Sequence, residues 1–329
     1  MSKVCLVTGA NGHLGNNLVR QLLDEGYTVK AGVRDIACTA PFEGLNCELV
    51  YVDILDKASI DQALQGVDIL FQVAAVFKHW ATDPEKDIVQ TNVLGTEIVL
   101  EAAARAKLEK VVYISSVAAV GHDGSPLSED RWNTDLSNPY YRSKILSEKK
   151  AYEVANRHGL WMVVILPAAM VGPNCFKLTP TMEYIRAVLK NELPFDPQFF
   201  FNFVDVRDVA RGSISAMSNG QSGERYILAN IKSLSMDDVV TALNTDSIAL
   251  RVRTRAKAPK WLLLLVAWVQ ETVSMFSRKE ASLTVSQVKT FFNVHQEYDI
   301  SKARNALQYS PAMPSQAIKA AGEYLSVRL

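Results

Sequence analysis

Tyr140 and Lys144 are the residues of this sequence whose types and spacing most directly offer chemistry. They stand four positions apart in Tyr140-Tyr141-Arg142-Ser143-Lys144, so on a helix both side chains project from one face. An ammonium group beside a phenol favours the phenolate and would lower the tyrosine pKa from its reference value of about 10 towards neutrality. The pair predicts a proton-transferring tyrosine with an activating lysine, although the same spacing also occurs on solvated helix surfaces.

A glycine-rich turn near the start of the chain reads Thr8-Gly9-Ala10-Asn11-Gly12-His13-Leu14-Gly15. It separates a predicted first strand from a predicted first helix, where the pyrophosphate of a dinucleotide meets a helix N-terminus. Gly9 would permit the tight turn, Gly12 would let N–H groups approach the phosphates, and Gly15 would let the helix close on the strand. An ordinary strand-to-helix turn can carry the same glycines, but this placement favours a dinucleotide site.

The end of the second predicted strand decides which dinucleotide would bind, because the adenosine ribose lies there. Arg34 could fork onto a 2′-phosphate, whereas the adjacent Asp35 would repel that phosphate if it pointed inward. The alternative is that Arg34 is a solvated loop residue. We predict NADP(H), with NAD(H) less favoured. Asp53, at the end of the third predicted strand, is placed either to accept a hydrogen bond from the adenine amino group or to cap a helix or turn.

The elements that must position these residues alternate between strand and helix. Apolar residues recur at helical spacing over 14–23 and 88–102, between β-branched runs typical of buried strands. The predicted strands are 3–8, 27–33, 48–52, 69–74, 110–115 and 161–167. Such alternation predicts an α/β fold with a Rossmann-type, doubly wound parallel sheet. Ser115-Ser116 then lies at the carboxyl edge of the sheet, where a serine could hydrogen-bond a substrate oxygen.

After Pro167 the pattern changes, because prolines and an aromatic cluster at 195–203 interrupt the chain. We predict a smaller C-terminal substrate lobe. The patterns at 203–217 and 226–229 look like a strand, a helix and a further strand that could rejoin the sheet. The predicted division is a dinucleotide-binding domain of 1–170 joined by about 200–230, and a substrate-binding lobe of 171–199 and 231–329.

Composition excludes several classes of protein. Lys plus Arg and Asp plus Glu number 35 each among 329 residues, so no basic field exists to hold nucleic acid. The four cysteines lack the paired spacings of zinc sites and the density of a disulfide framework, which predicts reduced thiols and no metal site. No secretory signal is recognisable, and the longest apolar run, 261–269, is too short to span a bilayer. We expect a cytoplasmic protein.

Together these residues resemble the short-chain dehydrogenase/reductase superfamily, extended branch. Within it the sequence is most similar to the dihydroflavonol-4-reductase-like group, which includes cinnamoyl-CoA reductases, 3β-hydroxysteroid dehydrogenases and hopanoid-associated epimerase-like proteins. Beyond the glycine turn, the passages that carry the resemblance are Val33-Arg34-Asp35, Asn92-Val93-Leu94-Gly95-Thr96, Tyr113-Ile114-Ser115-Ser116, Asn138-Pro139-Tyr140-Tyr141-Arg142-Ser143-Lys144 and Val204-Asp205-Val206-Arg207-Asp208-Val209-Ala210.

The resemblance implies roles for individual residues. Tyr140 would be the general acid, Lys144 its activator and Ser116, rather than Ser115, the hydroxyl that polarises a carbonyl. His13 departs from the aromatic or aliphatic residue of many relatives, but that position contributes mainly its backbone and little functional change is expected. The implied cofactor-binding positions are Thr8, Gly9, Asn11, Gly12, His13, Leu14, Gly15, Arg34, Asp53, Ile54, Ala74, Ala75, Asn92, Tyr140, Lys144 and Pro167.

The predicted function is an NADP(H)-dependent oxidoreductase that moves a hydride between nicotinamide and a ketone, aldehyde or secondary alcohol. Neutral charge and abundant aromatic residues favour a largely apolar substrate, planar ones included, over a phosphorylated sugar. One rival is an epimerase or dehydratase of nucleotide sugars that retains NAD, against which Arg34 counts. The other is a non-catalytic NADP sensor, which would have no need of Tyr140 and Lys144.

Residues that could line the substrate pocket follow the strand ends or lie in the second lobe. Each could instead belong to the core. The candidates are Phe77, His79, Trp80, Met170 and Phe176, with 199–203 as a lid.

The segment 257–276 is apolar and follows a basic stretch. It could contact a membrane interface peripherally, line a subunit contact or pack as a buried helix against the second lobe. The sequence leaves monomer and homodimer open.

Overall fold

Seven parallel strands form the main sheet of the computed structural model, which describes residues 2–77, 81–122, 126–248, 250–277 and 281–328. In chain order the strands are β1 (Val4–Thr8), β2 (Thr28–Val33), β3 (Glu48–Tyr51), β4 (Ile69–Gln72), β5 (Lys110–Ile114), β6 (Met162–Pro167), β7 (Ala169–Val171), β8 (Phe203–Asp205) and β9 (Arg225–Leu228). The main sheet has the order β3-β2-β1-β4-β5-β6-β9, and every neighbouring pair is parallel. The predicted Rossmann-type sheet is confirmed, with strand ends one or two residues shorter than predicted.

The helices cover both faces of this sheet and build a second lobe. They are α1 (His13–Asp24), α2 (Lys57–Ala63), α3 (Thr91–Arg105), α4 (Pro139–His158), α5 (Pro180–Leu189), α6 (Val206–Asn219), α7 (Met236–Leu243), α8 (Lys260–Ser277), α9 (Val285–Phe291), α10 (Ser301–Leu307) and α11 (Pro314–Ser326). The central strands are buried along their length, which is why they read as continuous apolar runs. Because strand order reverses between β1 and β4, the carboxyl ends of these strands define the crevice where such folds bind ligands.

The inner face of α3 differs from the apolar stripe predicted over 88–102. A π-helix over Glu85–Gln90 precedes α3, and Asn92 and Thr96 are buried while Leu94 is 49% exposed. Polar side chains therefore take the inner face near the carboxyl edge of the sheet. Hydrophobic periodicity could not predict this arrangement, because it assigns apolar residues to the buried side.

The second lobe has its own core, formed by α5, α7, α11 and the parallel pair of β7 and β8. As predicted, α6 and β9 rejoin the main sheet. The predicted strand at Phe203 does not, because β8 pairs with β7 instead. The lobe is also not continuous over 231–329: the buried residues of 298–309, including α10, pack into the main core against α6 and β9.

A third apolar cluster joins α8 and α9 to the start of α4. The inner side chains of α8, such as Leu263 and Ala267, are fully buried, whereas Trp261 and Trp268 are 67% and 61% exposed. The helix is thus neither wholly buried nor wholly exposed. Within the part of the chain that the structure describes, no helix is long and apolar enough to cross a membrane.

Candidate active site

The start of α4 is fixed by an Asn-Pro pair. Pro139 occupies the first helical position, and the side chain of Asn138 accepts a hydrogen bond from the N–H of Tyr141 at 3.2 Å. Both residue types are favoured at these positions of a helix N-terminus. Tyr140 consequently lies in the first turn, with Lys144 one turn later on the same buried face, 9% and 7% exposed respectively. The predicted pair is therefore not a solvated pair on a helix surface.

The hydroxyl of Tyr140 is hydrogen-bonded to that of Ser116. Ser116 follows β5, and its side chain accepts a hydrogen bond from the N–H of Ala118 at 3.1 Å, which closes a short 3-10 turn. Ser115 points elsewhere, because its hydroxyl donates to the carboxylate of Glu148. Of the two adjacent serines, Ser116 is the one that faces the phenol.

Burial dominates the acid–base properties of Tyr140 and Lys144. It raises the pKa of Tyr140 to about 12, opposed by the hydrogen bond from Ser116. It lowers the pKa of Lys144 to about 8, opposed by the nearby Glu148 carboxylate. The shift of the tyrosine pKa is therefore opposite to the one expected from the sequence, because burial disfavours the charged phenolate.

A small cavity lies beside Lys144 at the carboxyl edge of the sheet. Four positions predicted to bind the cofactor line it: Ala74, Ala75, Asn92 and Lys144. The lining also includes Gln72, Thr96, Tyr113, Ile114 and Ser147. The structure thus brings the segment after β4, the inner face of α3 and the lysine of α4 to one place.

Thr8 and Asn92 hold the backbone after β4 through their side chains. The Thr8 hydroxyl donates to Gln72 at 2.8 Å and accepts from the N–H groups of Val73 and Ala74, both at 3.0 Å. The Asn92 amide accepts from the N–H of Val76 at 2.7 Å, donates to the carbonyl of Val76 at 3.0 Å and donates to the Ser143 hydroxyl at 3.2 Å. The side chains of Thr8 and Asn92 therefore form hydrogen bonds within the protein, and these bonds hold the backbone that lines the cavity.

The glycine turn has the geometry expected of a phosphate-binding turn. Gly9 has a positive φ of 64°, which only glycine adopts readily. A Cβ at Gly15 would come within 2.3 Å of the Gly9 carbonyl oxygen, so this glycine lets α1 approach the strand end. Among the described residues, no side chain caps the first turn of α1 at Gly12. Its N–H groups remain able to bind an anion, and the turn fits the pyrophosphate of a nicotinamide dinucleotide.

The residues predicted to bind the adenosine half lie at the ends of β2 and β3. Arg34 is exposed and has no hydrogen bond or ion pair with any described residue. Asp35 accepts the N–H of Ala37 at 2.9 Å, and Asp53 accepts that of Leu55 at 2.9 Å. Asp53 is thus a turn residue, and Asp56 caps α2. Ile54 packs against α3, where a Cβ at Gly95 would lie 2.6 Å from it.

The predicted substrate residues separate in the structure. The ring of Phe77 lies 4.9 Å from that of Tyr140, measured between centroids. Met170 packs against the main core, and Phe176 lies beneath the guanidinium of Arg328 at 5.0 Å. Neither is among the described residues that pack around Tyr140. His79 and Trp80 lie outside the described residues, whereas Pro167 is buried at the end of β6.

The aromatic segment 199–203 forms a wall. Phe199 and Phe203 are 7% and 0% exposed, and the ring of Phe201 contacts those of both and of Phe291. The predicted lid is therefore wrong, because these rings pack into two cores. Phe291 and the inner residues of α8 complete the wall beside Tyr140. They lie more than a hundred positions further along the chain, and no local sequence signal indicated them.

Two further side chains have roles that the sequence interpretation missed. Glu148 is one turn beyond Lys144 and pairs with Arg225 of β9 at 2.6 Å, both almost fully buried; its spacing from Lys144 was an available signal. His13 is also buried, and its Nε2 lies 3.2 Å and 3.1 Å from the carbonyl oxygens of Gly172 and Pro173. The side chain at this position therefore joins the glycine turn to the second lobe, in addition to the backbone contribution that was expected.

The doubly wound sheet, the glycine turn and the Ser-Tyr-Lys arrangement together define an NAD(P)-dependent enzyme of the short-chain dehydrogenase/reductase type. The chain belongs to the NAD dependent epimerase/dehydratase family, whose model matches residues 5–231. It is 34% identical to a putative dihydroflavonol 4-reductase of Synechocystis over 98% of this chain and 93% of that protein. It is 31% identical to the sterol demethylase protein B of Methylococcus capsulatus over 93% of each chain.

The fold is shared with yeast methylglyoxal/isovaleraldehyde reductase Gre2, solved with NADPH. That structure has a TM-score of 0.75 with 22% identity and 99% coverage of both chains. These comparisons confirm the resemblance to the extended branch and its dihydroflavonol-4-reductase-like group.

Proposed function

We propose that the protein transfers a hydride between NADP(H) and a ketone, aldehyde or secondary alcohol on a largely apolar small molecule. The observation that carries this proposal is the hydrogen bond from the partly buried hydroxyl of Ser116 to the buried phenol of Tyr140, one helical turn from the buried Lys144. A substrate carbonyl oxygen that came between the two hydroxyl groups could accept a hydrogen bond from each of them.

The nicotinamide, when bound, supplies or accepts the hydride. In the reductive direction Tyr140 donates its proton to the substrate oxygen, and Ser116 stabilises the negative charge that develops there. Tyr140 suits the acid role because its phenol stays protonated in this buried site. In this proposal Lys144 binds the nicotinamide ribose hydroxyls and provides positive charge beside the cavity that it lines.

Arg34 supports the proposed preference for the phosphorylated dinucleotide. Its guanidinium is exposed and free of described partners, and the neighbouring Asp35 carboxylate accepts a hydrogen bond from its own turn at 2.9 Å. Arg34 can therefore form charge-assisted hydrogen bonds with a 2′-phosphate. The same arrangement counts against an epimerase that retains NAD.

The surroundings of Tyr140 support the proposed apolar character of the substrate. The described cluster around it consists of Ala118, Tyr141, Phe199, Ala258, Leu263, Ala267, Val288 and Phe291, with Phe77 packed alongside. Such a wall provides few groups for the hydroxyls of a sugar. The names of the two similar proteins, one for a flavonoid and one for a sterol substrate, agree with this class.

The test is NADPH oxidation with a panel of apolar aldehydes and ketones. Wild-type protein should show turnover, and Tyr140→Phe should reduce kcat by about 10² to 10⁴, the usual contribution of general acid catalysis. NADPH affinity, measured by fluorescence titration, should stay within about twofold, because the phenyl ring preserves the packing.

Tyr152→Phe is the matched control, since Tyr152 lies on the same helix and its ring packs near Trp132. It should retain wild-type turnover. Equal turnover of Tyr140→Phe and wild type would contradict the proposal. Product formation without added dinucleotide would instead support the epimerase reading.

A further inference from the structure

The outer face of α8 presents a continuous apolar surface. Its members are Trp261, Leu265, Trp268, Val269, Val273, Met275 and Phe276, which are between 45% and 86% exposed. At 3.6 residues per turn these positions fall on one side of the helix. Contiguous exposed side chains of this size mark an interaction surface on a protein.

Gln270 and Glu271 of the same helix are directed away from this face, whereas Thr272 lies on it and its hydroxyl donates to the carbonyl oxygen of Trp268 at 2.8 Å. Gln270 accepts hydrogen bonds from the N–H of Leu283 at 2.9 Å and from the hydroxyl of Ser282 at 2.8 Å. Glu271 accepts the N–H of Val285 at 3.1 Å. These contacts hold the segment that leads into α9. The acidic residue of α8 is thus used within the protein, and the outer face carries no charge.

A basic segment leads directly into this face. Between residues 250 and 277 the chain has five basic residues and a single acidic one, Glu271. Arg251, Arg253, Lys257 and Lys260 are exposed. An apolar helix face with tryptophans, preceded by exposed cations, matches the headgroup region of an anionic membrane. Tryptophan is favoured there because its ring is apolar and its N–H is polar.

The inner face of α8 belongs to the apolar cluster around Tyr140. Leu263 and Ala267 are fully buried in that cluster, together with Ala258 just before the helix. One helix therefore separates an exposed apolar surface from the wall of the candidate active site. The exposed apolar surface and the apolar cluster around the phenol are thus the two faces of one helix.

We propose that the outer face of α8 docks on an anionic membrane surface, with the helix lying in the headgroup region. The delivery of a membrane-dissolved substrate to Tyr140 is a consequence that rests on the proposed function; the docking does not. A second copy of the chain fits this face less well. Pairing two such helices side by side in the same direction would bring Lys257 and Lys260 near their own copies.

Flotation of the full chain with lipid vesicles tests the docking. Wild-type protein should float with vesicles of phosphatidylcholine containing roughly 30% phosphatidylglycerol, and less with phosphatidylcholine alone or at about 0.5 M salt. Trp261→Glu/Trp268→Glu should lower the bound fraction by about tenfold or more, because it places two charges in the apolar face. Arg253→Ser/Lys257→Ser should reduce binding to the anionic vesicles alone.

The matched control is Met313→Glu/Val327→Glu, which adds the same charges at apolar residues 65% and 88% exposed elsewhere on the surface. It should float like wild type. Equal flotation of wild type and the tryptophan variant, or none by wild type, overturns the proposal. Light scattering identifies the rival: a wild-type dimer that the tryptophan variant dissociates, without flotation, makes this face a subunit interface.

A kinetic comparison separates docking from the proposed function. The tryptophan variant should reduce a soluble ketone at the wild-type rate, and should reduce a ketone held in anionic vesicles about tenfold more slowly. Equal rates in both formats would overturn substrate delivery. Flotation needs neither substrate nor cofactor, so a protein that floats but shows no turnover would contradict the proposed function alone.

Discussion

Burial sets the protonation states of the two titratable residues at the candidate active site. Burial raises the pKa of the Tyr140 phenol to about 12, which keeps it neutral. It lowers the pKa of the Lys144 ammonium group to about 8, so this group loses its proton more easily. The residue types could be recognised from the sequence, but the direction of the tyrosine shift could not. The direction of that pKa shift depends on how far α8, α9 and the aromatic wall shield the phenol from water.

Activity should fall as pH rises through about 8. Burial lowers the pKa of Lys144 to about 8, so the ammonium form is present below this pH and is lost above it. The pH profile of kcat/KM measures this in the free enzyme. In Lys144→Arg the alkaline decline should disappear at a lower overall rate, because a guanidinium keeps its charge. An unchanged decline in that variant would assign it to another group.

Arg34 should decide between the two dinucleotides. Arg34→Ala is expected to weaken NADPH binding by about tenfold to hundredfold, the contribution of hydrogen bonds to a charged group. Titration with NADH, which lacks the 2′-phosphate, is the internal control and should give the wild-type affinity. The NADPH affinity of Arg34→Lys should lie between those of the wild type and Arg34→Ala, since lysine keeps the positive charge but cannot form the two parallel hydrogen bonds of a guanidinium. Equal losses for both dinucleotides would place Arg34 outside the phosphate site.

At the scale of elements, a buried ionic network joins α4 to β5 and β9. Glu148 accepts from Ser115 at the end of β5 and pairs with Arg225 of β9. Arg225 also donates to the carbonyl oxygens of Glu129 and Arg131 at 2.6 Å and 3.0 Å. Burial raises the pKa of Glu148, and the guanidinium opposes that shift. The network thereby fixes the helix that carries Tyr140 and Lys144 against two strands.

Removing the arginine should be strongly destabilising. Arg225→Met leaves the Glu148 carboxylate buried without its counter-ion, which costs about 3–5 kcal/mol of unfolding free energy. Urea denaturation measures the loss. Arg105→Met breaks the exposed pair with Asp61, both 43% exposed, and should cost no more than about 1 kcal/mol. Glu148→Gln/Arg225→Met should recover part of the loss; no recovery would attribute the effect to packing instead of charge.

At the scale of the whole molecule, the two lobes are joined at the glycine turn. His13 and Asn17 of α1 bind the backbone of Gly172 and Pro173, where the second lobe begins. Asn174 adds a hydrogen bond to Asn17 at 3.2 Å. The turn proposed to hold the cofactor therefore also aligns the lobe proposed to hold the substrate. Burial lowers the pKa of His13 to about 4, opposed by its two carbonyl contacts and by Asp205.

Stability should consequently decrease in mild acid. The unfolded chain protonates His13 below about pH 6.5, whereas the folded protein resists protonation down to about pH 4. Protons therefore favour the unfolded state in this window, by about 2 kcal/mol at pH 5 relative to pH 7. His13→Phe should lower stability at pH 7 but reduce its dependence on pH. Urea denaturation of both proteins at pH 7 and 5 tests this, and parallel losses would contradict it.

The sequence by itself determined the class of fold and the side chains proposed to react. Strand–helix alternation is local, so it predicted the doubly wound sheet, and the Asn-Pro start of α4 fixed the positions of Tyr140 and Lys144 on one face. The glycine turn was equally readable, because φ and Cβ constraints act within a few residues.

Only the tertiary structure decided what surrounds those side chains. Several features join residues that are far apart in the chain. They are the wall formed by α8 and α9, the pairing of β8 with β7, the packing of 298–309 into the main core and the ion pair of Arg225 with Glu148. Local patterns record which residues favour burial but not which distant residues they meet. The pKa values of Tyr140 and Lys144 depend on those distant contacts, because the cost of charge in a site is set by everything that excludes water from it.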